Sequence, residues 1–538
     1  MESVALLGNE LPPPATDPLT RVNGARIATG EALRAILRYG SADQYDLFYV
    51  DEPSGSIDAY RDTLANQGIP MERLRLVPPA QLRATLSESR YLAVHDAGSA
   101  NLARLAGLVR PLAPETTPCT CTHHSISYAN LLPQFIAACV GGLQPYDALF
   151  CSSSDSRLAL QRLLEHLCTL TGQEPGAWRH CLEPVPLGID AAAFAPAVPP
   201  AVARQLLALP EAGRYLLYLG RLSPWDKADL DVLLRAFALL ARTPGGEDLH
   251  LLLAGDDSQR YSAFLRSRAQ ALGIAAVTHL LPNLSSVTRR LALWSADIFV
   301  SPADSVQESF GLTVLEAMAA GLPVVVSDWA GYRDLVVDGD SGLLVPTIWG
   351  PCTATVEAQA ELGGFLADHL LLGQSVVVDE DALLDRLQQL LEQPDRRREM
   401  GTRAQARAAA YDWPLIVKRY EEIWRTLKQE ALAAEPAARP RQRFPFGQVF
   451  GHYATQQLQP TDLVEIRRGA APPPPLPAPL QLLLPGDVLQ RLMHLLSGGP
   501  QTVSVLVRSE TDMLALLWLA KAGMVRVTTE RSHAEFGN

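Results

Sequence analysis

Two charged side chains stand six residues apart in Gly220-Arg-Leu-Ser-Pro-Trp-Asp-Lys227, directly behind the apolar run Tyr215–Leu219. Arg221 offers a planar fork that suits phosphate oxygens, and Lys227 a mobile point charge. A glycine at position 220 lets backbone approach a ligand closely. Lysine is scarce here: of the 46 basic residues only Lys227, Lys418, Lys428 and Lys521 are lysines. A second segment, Glu308-Ser-Phe-Gly-Leu-Thr-Val-Leu-Glu316, holds two carboxylates eight residues apart. A helix expected to begin near Phe310 would turn the free N–H groups of Phe310, Gly311 and Leu312 toward an anion. Glu308 then precedes the helix at a cleft, and Glu316 lies about two turns further on, able to accept hydroxyl hydrogen bonds. A third segment, Cys119-Thr-Cys-Thr-His-His-Ser-Ile-Ser127, gathers thiols and imidazoles at a strand end. Its residues lie too close in sequence for a tetrahedral set, so no metal is expected. His95-Asp96 sits at another strand end, in position to meet an acceptor or to support His124.

Positioning such groups requires strands that end together. Tyr45–Val50, Tyr91–Val94 and Ala148–Cys151 read as strands, alternating with amphipathic helices over Glu31–Tyr39, Asn101–Val109 and Ser156–Thr169. Residues 195–201, rich in Pro and Ala, break the pattern. A second block follows with fully apolar runs at Tyr215–Leu219, His250–Ala254, Asp297–Val300 and Pro323–Ser327, as strands buried on both faces require. Helices are expected over Asp229–Ala241, Tyr261–Leu272, Val287–Trp294 and Thr313–Ala320. The chain therefore reads as α/β: two doubly wound domains with a ligand site where strand carboxyl ends face the intervening cleft. The expected boundaries are 1–195 for the first domain, 196–430 for the second with its terminal helices, 431–479 for a Pro-rich linker and 480–538 for a small helical or winged-helix-like module. Residues 349–378 read as an insertion.

The run Ser301–Ser327, continued without a gap by Asp328–Pro346, resembles the donor-binding signature of family-4 retaining glycosyltransferases, the glycogen-synthase-like group 1 transferases. Gly220-Arg-Leu and Lys227 match the same family, and the resemblance covers about residues 90–430. It implies a GT-B fold, two Rossmann-like domains facing across a nucleotide-sugar cleft, with no metal or other cofactor. It further implies that Arg221 and Lys227 bind the donor diphosphate, that Glu308 contacts the donor sugar and that Glu316 holds the ribose. The backbone of Phe310, Gly311 and Leu312 cradles sugar or phosphate, and Gly220 admits the donor. By the same match His124, with His123 second, meets the sugar. Val185-Pro-Leu-Gly-Ile-Asp190 resembles the interdomain segment, with Gly188 facing the nucleotide and Asp190 fixing the hinge. Two departures stand out. The Gly-Gly pair common after the first strand is missing, so Gly30 in a Thr29-Gly30 helix opening is the expected replacement, and Asp257 stands where a second glycine is common.

Composition narrows the remaining classes. A net charge of −12 argues against bulk attraction to nucleic acid or anionic membrane, leaving membrane contact at most peripheral. Seven scattered cysteines and the lack of a long apolar run point to the reducing cytoplasm. There is no P-loop and no G-x-G-x-x-G fingerprint, which disfavours kinase-like and ordinary NAD chemistry. The expectation is a hexosyltransferase moving sugar from a nucleotide-diphosphate sugar to an acceptor hydroxyl on a glycan, lipid, small molecule or protein. A nucleotide-sugar epimerase or hydrolase, and a binding or scaffold protein without turnover, are the alternatives. Residues 480–538 are expected to dock a protein or peptide partner or to serve as a structural cap.

Overall fold

The computed structural model describes residues 2–8, 24–49, 57–99, 101–124, 126–128, 131–140, 142–173, 182–360, 367–434, 456–467, 475–476, 478–481 and 483–528. Most of the expected Pro-rich linker 431–479, and residues 9–23, lie outside them.

The first sheet is parallel, with seven strands in the order β3-β2-β1-β4-β5-β6-β7. They are β1 (Ser3–Leu7), β2 (Gln44–Phe48), β3 (Leu74–Val77), β4 (Ala93–Asp96), β5 (Cys119–Thr122), β6 (Ala148–Cys151) and β7 (Leu182–Pro184). The second sheet, also parallel, runs β10-β9-β8-β11-β12-β13. Its strands are β8 (Arg214–Leu219), β9 (Leu249–Gly255), β10 (Thr278–Pro282), β11 (Ile298–Ser301), β12 (Val324–Ser327) and β13 (Gly342–Val345). In both, strand order reverses beside the first strand of the block, which opens a crevice at the carboxyl ends. Alternation explains why these strands read as unbroken apolar runs. Tyr215, Leu217 and Leu219 pack into one layer, while Leu216 and Tyr218 pack into the layer on the other face.

The chain then returns to its first lobe. The helix Trp413–Ala433 buries Trp413, Ile416, Val417, Tyr420, Trp424 and Leu427 against Val4, Leu6, Leu33 and Phe150. Residues 413–433 therefore complete the first lobe's core, although the sequence boundary at 430 assigned 413–430 to the second domain and 431–433 to the linker. A parallel bridge between Ile189 and Asp412 holds the two interlobe crossings side by side.

Residues 443–538 form a compact unit of their own. Its antiparallel sheet has the order β17-β16-β18, from β16 (Leu463–Ile466), β17 (Gln501–Thr502) and β18 (Val525–Thr528). Helices Gly486–Ser497 and Glu510–Lys521 cover it through Leu492, Leu496, Ala515, Leu516 and Leu519. β16 lies inside the stretch expected to be linker. It is four residues long, and its pairing with β18 makes it a strand.

Candidate active site

Residues 220–227 leave the carboxyl end of β8 as a loop folded on itself. Arg221 is bonded to Asp226, and Ser223 Oγ donates to Asp226 Oδ1 at 2.7 Å. A Cβ on Gly220 would sit 2.9 Å from the Tyr218 hydroxyl and 3.4 Å from Lys227 Cε, so glycine makes room chiefly for the Tyr218 hydroxyl beside the lysine stem. Lys227 reaches across to Glu308, with which it forms an ion pair. The Tyr332 hydroxyl donates to the same Glu308 oxygen at 3.2 Å and lies 2.9 Å from Ser301 Oγ. Burial, and next the charge of Glu308, hold the Tyr332 phenol well above its usual pKa, so it stays a donor.

The helix after Glu308 begins between the two expected starts, near Phe310 and at Thr313. It spans Leu312–Ala319, with Gly311 as its N-cap at φ 111°. That conformation, and the 2.6 Å separation a Cβ would have from Tyr332 Cε1, require glycine. Leu312 and the residues after it present the helix's orphan N–H groups, and Phe310 and Gly311 precede them. The Phe310 side chain is buried in the core, where its ring packs 6.1 Å from that of Tyr411. Glu316 sits in the second turn and accepts from Arg289 Nη2 at 2.8 Å. Burial pushes its carboxyl up, with Arg289 pulling the other way.

The first lobe contributes from the carboxyl ends of β4, β5 and β6. Ser309 Oγ donates to the His124 carbonyl at 3.1 Å, and Ser153 Oγ donates to the Ser309 carbonyl at 2.7 Å. These contacts seat the Glu308 loop against His124. The His124 ring donates from Nε2 to Ala97 O at 2.8 Å and stands 3.0 Å from Thr29 Oγ1, which assigns the proton to Nε2. Burial holds its pKa below the usual imidazole value, keeping the ring neutral. His123 is buried, and among the described residues neither of its ring nitrogens has a hydrogen-bond partner. The same holds for Gln307 Oε1 and Thr313 Oγ1. Such orphaned polar atoms, on both lobes and close in sequence to His124 and Glu308, are what a site for a polar ligand presents.

Three sequence expectations change. His95 is fully buried among Phe150, Tyr420 and Trp424, with Nδ1 2.9 Å from Thr120 Oγ1, so it is a core residue and meets no acceptor. Gly188 lies against the Trp413 indole, 2.5 Å from a Cβ placed there, so its missing side chain serves the hinge. Gly30 falls within the helix Gly24–Tyr39, its amide committed to the ladder, and opens nothing. Asp190 caps the helix Ala191–Phe194, accepting from Ala193 N at 3.3 Å. Asp257 is held by Ser262 and Asn283. The structure adds Tyr332 and Arg289 to the site. Tyr332 sits inside the signature run, where the sequence gives it no role, and no local signal marks Arg289. No group of three or more His, Cys, Asp or Glu among the described residues is placed to hold a metal ion.

Residues 202–348 match the model of the family described as glycosyl transferases group 1. These residues make up most of the second lobe, from the helix before β8 to the strand Thr347–Trp349. A D-inositol 3-phosphate glycosyltransferase of Kineococcus radiotolerans is 32% identical over 262 residues, 48% of this chain and 54% of that protein. A phosphatidyl-myo-inositol mannosyltransferase of Mycolicibacterium smegmatis is 30% identical over 244 residues, 45% of this chain and 51% of that protein. The chain thus spans about half the length of the curated relatives it matches. Among solved structures, Anabaena HepE in complex with UDP-glucose aligns with a TM-score of 0.53 at 18% identity, covering 80% of this chain and 100% of that one. Sucrose-phosphate synthase from Thermosynechococcus elongatus aligns at 0.52 and 20% identity, with the same coverages of 80% and 100%. The fold of this chain is GT-B. No helix among its described residues is long and apolar enough to cross a membrane.

Proposed function

We propose that this chain transfers a sugar from a nucleotide-diphosphate sugar to an acceptor hydroxyl, with retention of configuration and without a metal, in the cytoplasm. The observation that carries the reading is the pairing of Lys227 with Glu308 beside the Gly311-capped helix start. It places cations, a carboxylate and orphan backbone donors at the carboxyl end of one sheet. Arg221 and Lys227 are the groups to take the diphosphate oxygens, exchanging Asp226 and Glu308 for the ligand. Their charge then stabilises the leaving diphosphate, the role a metal fills elsewhere. Glu308, released from Lys227, faces the donor sugar, and the Leu312 amide with those of Phe310 and Gly311 receives sugar or phosphate oxygens. Glu316, already held by Arg289, accepts from ribose hydroxyls. His124, neutral and fixed by Ala97 O, is the first-lobe contact to the sugar.

The relatives' names make a phosphorylated inositol the first acceptor to try. Donor identity is read by a thermal-shift panel of UDP-, GDP- and ADP-sugars on wild type and on Lys227→Ala/Glu316→Ala. A ligand that binds the folded state raises the melting temperature by mass action. A shift from one nucleotide class, lost in the double variant and insensitive to EDTA, supports the reading. No shift from any donor at millimolar concentration favours a binding or scaffold protein instead.

A further inference from the structure

The insertion stands on the ligand side of the second sheet. It leaves the carboxyl end of β13 through an antiparallel hairpin, β14 (Thr347–Trp349) with β15 (Val376–Val378), whose pairs run from Thr347–Val378 to Trp349–Val376. The helix Ala367–Gly373 lies within it. At its base Gln374 Nε2 donates to Asp229 Oδ2 at 3.0 Å, two residues beyond Lys227. On that helix His369 holds an unusual position for a polar side chain, being 1% exposed. Its Nε2 lies 2.9 Å from Ser127 Oγ, and its ring meets the Tyr128 ring edge-on at 4.6 Å. Its Nδ1 lies 3.0 Å from Asp368 Oδ1.

Ser127 and Tyr128 belong to the first lobe and follow His124 closely. The chain of contacts continues back across the cleft, because Gln307 Nε2 donates to the Tyr128 hydroxyl and Gln307 precedes Glu308. Burial pushes the Tyr128 phenol up, with the Asp226 carboxylate adding to it and the Arg221 guanidinium opposing. Burial lowers the His369 imidazole against the pull of Asp368 and Asp226, so the bridge stands near the cation loop. Each lobe has its own apolar core, and His369 belongs to neither. Burying a polar ring at the far side of a cleft carries a desolvation cost that its partners in the opposite lobe offset.

We propose that His369 is a positioning residue for the donor: the insertion latches Ser127 and Tyr128 of the first lobe, and through Tyr128 the Gln307–Glu308 loop, into the closed cleft. This rests on the donor-binding reading above. Cutting the imidazole away removes one hydrogen bond and one edge-on aromatic pairing, which shifts such a closing equilibrium about tenfold, or about 1.4 kcal/mol. The apparent donor affinity then falls in proportion to the fraction of molecules that remain closed.

The test uses the full chain with UDP-glucose, GDP-mannose and ADP-glucose as probes, following donor hydrolysis and donor affinity in wild type. With the donor that wild type takes, His369→Ala is expected to raise KM, by at most about tenfold, while kcat changes less than threefold. His369→Gln, whose amide reaches Ser127 Oγ, should recover most of that loss. Tyr128→Phe keeps the ring and breaks the link to Gln307, so it should resemble His369→Ala, and combining the two should cost no more than either alone. Should His369→Ala not fold, Tyr128→Phe decides. An unchanged KM in both variants, or losses that multiply, overturns the latch while the donor reading stands. A wild type that binds none of the three donors overturns the donor reading itself, and the latch with it.

Discussion

Lys227 and Glu308, 81 residues apart in the chain, form an ion pair whose side chains are 17% and 7% exposed. It ties the loop behind β8 to the loop behind β11 and gives both a fixed geometry before any donor enters. Removing one partner strands a charge in a poorly solvated place. Lys227→Ala should lower donor turnover by ~10²–10³-fold, the scale of losing one electrostatic stabiliser. Glu308→Gln should also be damaging, and the double variant should cost less than the product of the singles. Steady-state kinetics on all three with the donor found in the panel checks this.

Gly311 carries a conformation and a close approach that alanine cannot reproduce together. Gly311→Ala should cost about 1–3 kcal/mol of stability, from backbone strain and from displacing the Tyr332 ring. Because Tyr332 holds Glu308, donor affinity should fall as well. Urea unfolding and donor titration on the same preparation separate the two losses.

Asp304 is buried beside Asp229, whose backbone N–H it accepts at 3.2 Å, and burial pushes its carboxyl up to about 7. A carboxyl with a raised folded pKa contributes stability at pH below its unfolded value near 4, and that contribution is lost as pH rises through about 7. Asp304→Asn keeps an acceptor and removes the charge. It should melt higher than wild type at pH 8, by on the order of a few kcal/mol in stability. The gain should shrink toward pH 4. A variant that melts no higher at pH 8 would contradict this account.

Trp424 is fully buried, and its Nε1 donates to Thr120 Oγ1 at 3.0 Å. Trp424→Ala should destabilise by about 3–5 kcal/mol, as for other buried aromatics cut to alanine. A chain ending at residue 412 should leave the first lobe without a wall of its core. Circular dichroism melts, with tryptophan fluorescence for the point variant, test both.

The unit 443–538 has its own core, built on Val464, Leu492, Leu496 and Leu516. Its deletion should leave donor affinity within threefold of wild type, while acceptor use falls if this unit docks a protein or peptide partner. Unchanged acceptor kinetics would remove the docking role.

Much of this architecture is legible in the sequence because it rests on local rules. Parallel strands buried on both faces read as runs such as Val324–Ser327, and helices read by period, as over Gly486–Ser497. The segments of the candidate site also declare themselves, since Arg221, Lys227, Glu308 and Glu316 stand at fixed spacings beside strand ends. What those side chains touch is a tertiary matter. Glu316 meets Arg289, and His369 meets Tyr128, because separate elements pack there, and no periodicity records such a meeting. His95 reads as a cleft residue by its place at a strand end. Packing of the helix Trp413–Ala433 over it, more than 300 residues later, makes it core. Gly188 owes its lack of a side chain to that same helix, and β16 becomes a strand by finding β18. Local sequence determines which backbone states and which buried faces are favoured; which faces meet is decided by the collective burial of the whole chain.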